Sequence, residues 1–213
     1  MTDITRMRDQ IASVGQSLFD RGLTAGSSGN ISVRLPDGGW LMTPTNVSLG
    51  TLDPARLAHF DTSGRHLSGD APTKEAFLHF SMYSERRDAQ AVVHLHSSHA
   101  TAVSILRDLD PADVMPALTA YYIMRVGRLP LVPYFAPGDP DLAHAVRALA
   151  SQHHAVLLAN HGPVVAGTSL DNAQYAVEEL EEAAKLFLLL QNHALRTLTP
   201  DQVADLRTRF NLS

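Results

Sequence analysis

Apolar side chains recur at Ile4, Met7, Ile11, Val14 and Leu18, at spacings of 3, 4, 3 and 4. That is one face of an amphipathic helix, and Gly22 stands where the helix should end. From Leu23 to Asp70 the texture changes to short extended pieces and turns. Ile31 to Leu35 and Trp40 to Met42 flank Pro36-Asp37-Gly38-Gly39, which predicts a hairpin. His59 to Asp61 and Arg65 to Leu67 flank Ser63-Gly64 and predict a second. Pro72-Thr73-Lys74-Glu75 opens a helix running to Ser84, with Glu75 in its first turn.

The β-branched run Ala91 to His96 predicts a strand, and Ser97 or Ser98 can cap a helix from His99 to Arg107. Pro111 to Tyr134 mixes Pro, Gly and aromatics and reads as loops with one strand near Leu131 to Pro133. Pro140 to Ala150 is a helix. Ala155 to Ala159 and Val164 to Ala166 are strands on either side of Asn160-His161-Gly162-Pro163. Ser169 to Leu195 forms a long helix, and Thr199-Pro200-Asp201-Gln202 starts a terminal one. Helices at both ends of a strand-rich middle predict one α/β domain over residues 1–213. The expected architecture is a three-layer αβα with a central mixed, largely antiparallel sheet, because many connections are hairpins.

Composition removes several chemistries. The 213 residues include no Cys, so disulfides, thiolate metal sites and cysteine nucleophiles are absent. With 17 Lys+Arg against 22 Asp+Glu, the net charge of −5 argues against nucleic acid or an anionic membrane as partner. The most apolar stretch, Leu186 to Leu190 in KLFLLLQN, is too short to span a bilayer. With no targeting segment in view, a soluble, cytoplasmic protein is expected.

The 11 His turn attention to imidazole chemistry. In a strand, residues i and i+2 share a face, so His94 and His96 point one way, a two-point grip for a metal such as zinc. The plainer reading is two His on a solvent face. His161 ends an apolar strand before a residue that permits a sharp turn, a common place for active-site groups. Glu75 is a potential ligand or base, or simply an acid complementing a helix dipole. Together, three His and one Glu compose the ligand set of a catalytic zinc site. The loop Thr24-Ala25-Gly26-Ser27-Ser28-Gly29-Asn30 can present backbone N–H groups and hydroxyls to an anion, although a plain connector would look the same. No Walker A or G-x-G-x-x-G pattern is present.

Taken in order, SSGNISVR, the MTPT turn, the Pro-Thr-Lys-Glu helix start, AVVHLHSSHATAVS and Asn160-His161-Gly162 resemble the class II aldolase/adducin family. The resemblance runs from about Ile11 to His193. It implies a class II aldolase-like fold and a metal held by His94, His96 and His161, with Glu75 as acid/base and as a ligand when substrate is absent. One Zn²⁺ per subunit is expected, another divalent metal being the alternative. The family's phosphate pocket falls on Ser28, Gly29, Asn30, Thr45, Asn46, Thr73 and Lys74. Asn46 and Lys74 depart from the aldolase pattern, which has Thr-Gly and Ser-Ser in these stretches. Tyr121 is the implied proton donor, with Tyr122 the alternative beside it. Arg125 and the Pro-Thr-Lys-Glu start are similar to the branch that decarboxylates 3-oxo-tetronate 4-phosphates, where an Arg suits a carboxylate. A structural or interface Arg is the other reading.

The resemblance thus implies a cytoplasmic homotetrameric lyase of four-carbon acid sugar catabolism, acting on a small phosphorylated sugar acid. A zinc-stabilised enediolate would lead to dihydroxyacetone phosphate and CO₂. The alternatives are a fuculose-phosphate-type aldolase, a ribulose-phosphate 4-epimerase, and a non-catalytic adducin-like interaction module.

Overall fold

The computed structural model describes residues 3–136 and 138–212. Its centre is a sheet of eight strands in the order β4-β3-β2-β1-β5-β8-β7-β6. The strands are β1 (Asn30–Arg34), β2 (Trp40–Met42), β3 (Ala58–Phe60), β4 (His66–Ser68), β5 (Ala91–His94), β6 (Leu131–Val132), β7 (Ala155–Leu158) and β8 (Gly162–Gly167). Every neighbouring pair is antiparallel except β6 and β7. The sheet is therefore mixed and largely antiparallel, as the hairpin signals predict.

Helices cover both faces. One face carries α1 (Asp3–Asp20), α3 (Ser98–Ile105), α4 (Ala120–Arg125) and α6 (Leu170–Leu190), with α7 (Pro200–Phe210) packed against α4. Ile11 and Leu18 of α1 reach full burial there beside Ile31, Val93 and Leu180. Burying such a side chain contributes about 1.5–3 kcal/mol. The other face carries α2 (Ala76–Glu85) and α5 (Pro140–Ala150), whose Leu78, Met82, Leu142 and Val146 pack on Val92, Val156 and Val164. Among the described residues no helix is long and apolar enough to cross a membrane.

Most element ends shift by one or two residues from the sequence expectation, and four differences matter more. α2 starts at Ala76, so Glu75 stands at its N-cap and not in its first turn. β5 ends at His94, leaving His96 just beyond the strand. α6 stops at Leu190, short of Leu195. The stretch expected as loops plus one strand also contains α4, begun by Thr119, whose side chain accepts from the Tyr122 amide. Six residues give little periodic signal. The helix is held by tertiary packing, with Tyr122 and Ile123 buried.

Candidate active site

Strand alternation decides which side chains meet. Ile31 and Val33 of β1 point into the same core as Val93 and Leu95, on the α1/α6 face. Their neighbours Asn30, Ser32, Val92 and His94 therefore face the α2 layer. Asn30 and His94 are direct partners across the β1–β5 pairing. His94 thus arrives, fully buried, opposite the start of α2, where Glu75 stands.

Glu75 makes no capping hydrogen bond. Its carboxylate turns to the histidines instead, Oε2 lying 3.4 Å from His94 Nε2 and Oε1 3.1 Å from His161 Nε2. His96 Nε2 is 3.1 Å from His94 Nε2 and 2.9 Å from His161 Nε2. One atom from each of the four residues lies within 4.8 Å of the others. The grouping read from the sequence is therefore present in space, although His96 reaches it from a loop.

His161 owes its place to the turn between β7 and β8. Asn160 there adopts φ 58°, a left-handed conformation that Asn tolerates better than most residues. A Cβ on Gly162 would fall 2.2 Å from the Leu95 carbonyl oxygen, so glycine lets this turn close on the Leu95–His96 backbone. Thr101 Oγ1 donates to the His161 carbonyl at 3.0 Å and pins the same turn.

The donor set fits a divalent metal. His94 Nδ1 donates to the Pro163 carbonyl at 2.8 Å, so its Nε2 presents a lone pair to the cluster. Three imidazoles and one carboxylate, with no sulfur, suit zinc or another borderline divalent ion. Burial alone would raise the Glu75 pKa. The hydrogen bond with His161, the His94 ring and the Asn30 amide outweigh it and hold the carboxyl below its usual range. Burial pushes His94 and His96 down, with neighbouring rings adding to it and Glu75 opposing it. At neutral pH the cluster is a carboxylate facing His94 and His96 in their neutral form, open to a cation.

The small-residue stretches converge beside it. Thr43 N donates to Ile31 O at 2.9 Å, Thr73 N to Thr43 O at 3.1 Å and Thr45 N to Ala71 O at 2.9 Å. Asn30 Nδ2 donates to Thr73 Oγ1 at 3.2 Å and to Glu75 Oε2 at 2.7 Å. Ser28 Oγ is turned to Ala25 O within its own loop, and Lys74 is exposed. Gly29, at φ 80°, packs its Cα against the backbone of His94. Asn46 sits at φ 57°, a left-handed conformation that Asn tolerates better than most residues.

Tyr121 and Arg125 lie on α4, away from α2. Tyr122 is buried in the core, and burial with the nearby Asp113 raises its pKa, whereas Tyr121 is 62% exposed. Arg125 stacks 5.6 Å over the Tyr175 ring. It lines a cavity of about 640 Å³ with Arg86, Arg128, Arg207, His153 and His154. That cavity also touches Ala166 and Gly167, which pair with the end of β5 opposite His94. His99 is structural: its backbone N and ring Nδ1 both bond Glu181, which also accepts from Ala100 N at the start of α3.

Residues that sequence reasoning passed over include His79, Ser32, Tyr83 and Thr101. The missed signal is the spacing Glu75, His79, Tyr83, which lines up two polar groups of α2 behind the residue at its N-cap.

A sequence signature described as the Class II Aldolase and Adducin N-terminal domain matches residues 9–188. The chain belongs to the class II aldolase and adducin family. It is 46% identical over 214 residues to the 3-oxo-tetronate 4-phosphate decarboxylase of Cupriavidus necator, covering 99% of this chain and 98% of the relative. It is 34% identical to the L-fuculose phosphate aldolase of Escherichia coli, covering 96% and 94% of the two chains. The crystal structure of YgbL from Escherichia coli superposes with a TM-score of 0.95 at 45% identity, covering 97% of this chain and 100% of that one. Decarboxylase and aldolase relatives alike break carbon–carbon bonds, and the chain is a lyase of this family.

Proposed function

We propose that this chain is a metal-dependent decarboxylase of a 3-oxo-tetronate 4-phosphate, yielding dihydroxyacetone phosphate and CO₂. One observation carries the chemistry: the Glu75 carboxylate and the three imidazoles brought within 4.8 Å of one another. The choice of leaving group rests on similarity, 46% to a decarboxylase against 34% to an aldolase. A Zn²⁺ ion held by His94, His96, His161 and Glu75 would supply a Lewis acid where negative charge develops.

The remaining steps belong to the chain's own residues. The C1–C2 bond of the substrate breaks, CO₂ leaves, and the electron pair moves toward the 3-carbonyl oxygen. A proton added at C2 completes the product. Glu75, ionised and braced by Asn30, is the acid–base beside that carbon, taking the 2-hydroxyl proton as charge develops and returning it to the product. Tyr121 donates the proton at C2 and is reprotonated from water. Thr45, Asn46, Thr73, Lys74 and the Ser28–Gly29–Asn30 loop surround the phosphate. Tyr121 and Arg125 stand four residues apart on one side of α4, where a homotetramer of this single domain would offer them to a neighbouring subunit's site. Arg125 then meets the substrate carboxylate. The cytoplasm is the expected setting.

The test is CO₂ release from both enantiomers of 3-oxo-tetronate 4-phosphate, with metal content measured on the same preparation. CO₂ with stoichiometric metal supports the reading. Aldehyde release from fuculose 1-phosphate, with no CO₂, would replace it by the aldolase reading.

A further inference from the structure

Behind Glu75 runs an unbroken line of buried polar side chains. Asn30 Nδ2 lies 2.7 Å from Glu75 Oε2, and Asn30 Oδ1 lies 2.5 Å from His79 Nε2. His79 Nδ1 lies 2.7 Å from Ser32 Oγ, which lies 2.9 Å from the Tyr83 hydroxyl. Asn30, Ser32, His79 and Tyr83 are all buried. The line exists because two periods interlock. Asn30 and Ser32 alternate onto one face of β1, and Glu75 at the N-cap of α2 is followed at intervals of four by His79 and Tyr83 within it.

The carboxylate at one end fixes the proton of every donor along the line. Glu75 is an acceptor, so Asn30 must turn its amide NH₂ toward it and its Oδ1 toward His79. His79 must then carry its proton on Nε2, leaving Nδ1 to accept from Ser32. The Ser32 hydroxyl, having donated, accepts from Tyr83. Were His79 to hold its proton on Nδ1, Asn30 would have to flip and set Oδ1 against the Glu75 carboxylate. The ring stays neutral because burial pushes its pKa down to about 4, against the pull of Glu75.

We infer that His79 is a positioning residue: as the Nε2–H tautomer it locks the Asn30 amide, and through it the orientation of the Glu75 carboxylate toward the histidine cluster. The inference rests on Glu75 acting at that cluster, as proposed above. It reaches one step further, to a residue that touches neither substrate nor metal ligand.

Two measurements test it. In the zinc-loaded protein with ¹⁵N-labelled histidines, the signal lost in His79→Gln should be that of a neutral Nε2–H ring. An Nδ1–H ring at that position overturns the inference, whatever the enzyme's substrate proves to be. In steady-state assays His79→Leu should lower kcat about ten- to hundredfold with KM within about twofold, as the loss of a ligand-orienting hydrogen bond does. His79→Gln, which keeps an N–H donor toward Asn30, should recover most of that loss. Equal losses in both variants would leave His79 a packing residue and sink the positioning role. Absence of any CO₂ release by the unmutated enzyme would instead count against the proposed function, and the tautomer measurement would still decide the role of His79.

Discussion

At one end of β5, three imidazoles and a carboxylate converge within 4.8 Å. At its other end four arginines and two histidines are spread around a cavity of about 640 Å³. Both ends collect titratable groups, but only the first aims them at one point. There the convergence is built by backbone: His94 is held on the Pro163 carbonyl, and Gly162 lets one turn press against another. At the far end the groups that are held have separate local partners. Arg86 bonds the Ala150 carbonyl, Arg125 stacks on Tyr175, and His154 Nδ1 bonds Ala166 O. Collected charge makes a reactive centre only when second contacts hold the rings and force their lone pairs together.

The most severe way to break that contrast is to remove the converging rings. His94→Ala combined with His96→Ala should abolish both bound metal and turnover, read by metal analysis and the CO₂ assay. Full activity in the metal-free double variant would refute the centre. Glu75→Gln keeps the shape and removes the base. Turnover should fall about 10²- to 10⁴-fold while the circular dichroism spectrum stays unchanged. An unaltered rate would take the acid–base role from Glu75.

Gly162→Ala tests the backbone origin of the convergence without touching a ligand. The added Cβ would meet the Leu95 oxygen at 2.2 Å, so the turn carrying His161 has to move. Metal affinity should drop about 10- to 100-fold, the range found when groups that orient ligands are disturbed. Wild-type affinity in a competition titration with a chelator would show that the turn can shift without cost to the site.

The buried neutral ring of His79 gives a pH signature of its own size: burial lowers the pKa of His153 and His154 at the far end too, but His79 is fully buried. Its folded pKa of about 4 lies below the unfolded value of 6.5. The unfolded chain therefore binds the extra proton first, and stability is lost as pH falls from about 6.5 to 4. The full loss from this ring is about 3 kcal/mol, taking 1.36 kcal/mol per pKa unit. Urea unfolding of the metal-free protein at pH 7 and pH 4.5 should show His79→Leu losing less stability over that interval than the unmutated chain. Equal losses would mean that the ring is already protonated or solvated in the fold.

Most of the frame is legible in the sequence because it is written locally. The 3-and-4 spacing of Ile4 to Leu18 gives α1, Pro36-Asp37-Gly38-Gly39 gives the first hairpin, and Pro140 to Ala150 gives α5. The converging residues are legible only in company: a lone His-x-His reads as readily as two solvent-face histidines, and it is the ordered set of motifs that singles out His94, His96, His161 and Glu75. α4 is not legible, because its six residues owe their helix to α6 and α7 rather than to their own propensity. Nor is the partnership of Asn30 with His79 and Glu75, which joins residues 49 and 45 apart in the chain. Asn30 reads locally as one more polar residue of a small-residue loop, and only the laying of α2 over β1 gives its amide two fixed ends.

Arg125 offers the smallest effect and the sharpest comparison between the two ends. Within one chain it belongs to the basic cavity, stacked on Tyr175 and far along the sheet from the histidines. In a homotetramer it can serve a neighbouring subunit's substrate together with Tyr121. Arg125→Ala should then raise KM about tenfold, the loss of one charge-assisted hydrogen bond of about 1.5 kcal/mol, with metal content unchanged. Arg125→Lys should recover only part of the loss, because an ammonium cannot hold a carboxylate bidentately. If KM stays fixed in both variants and only the melting temperature falls, Arg125 is a stacking residue between α4 and α6. The two ends of the sheet would then be separate in function as they are in space.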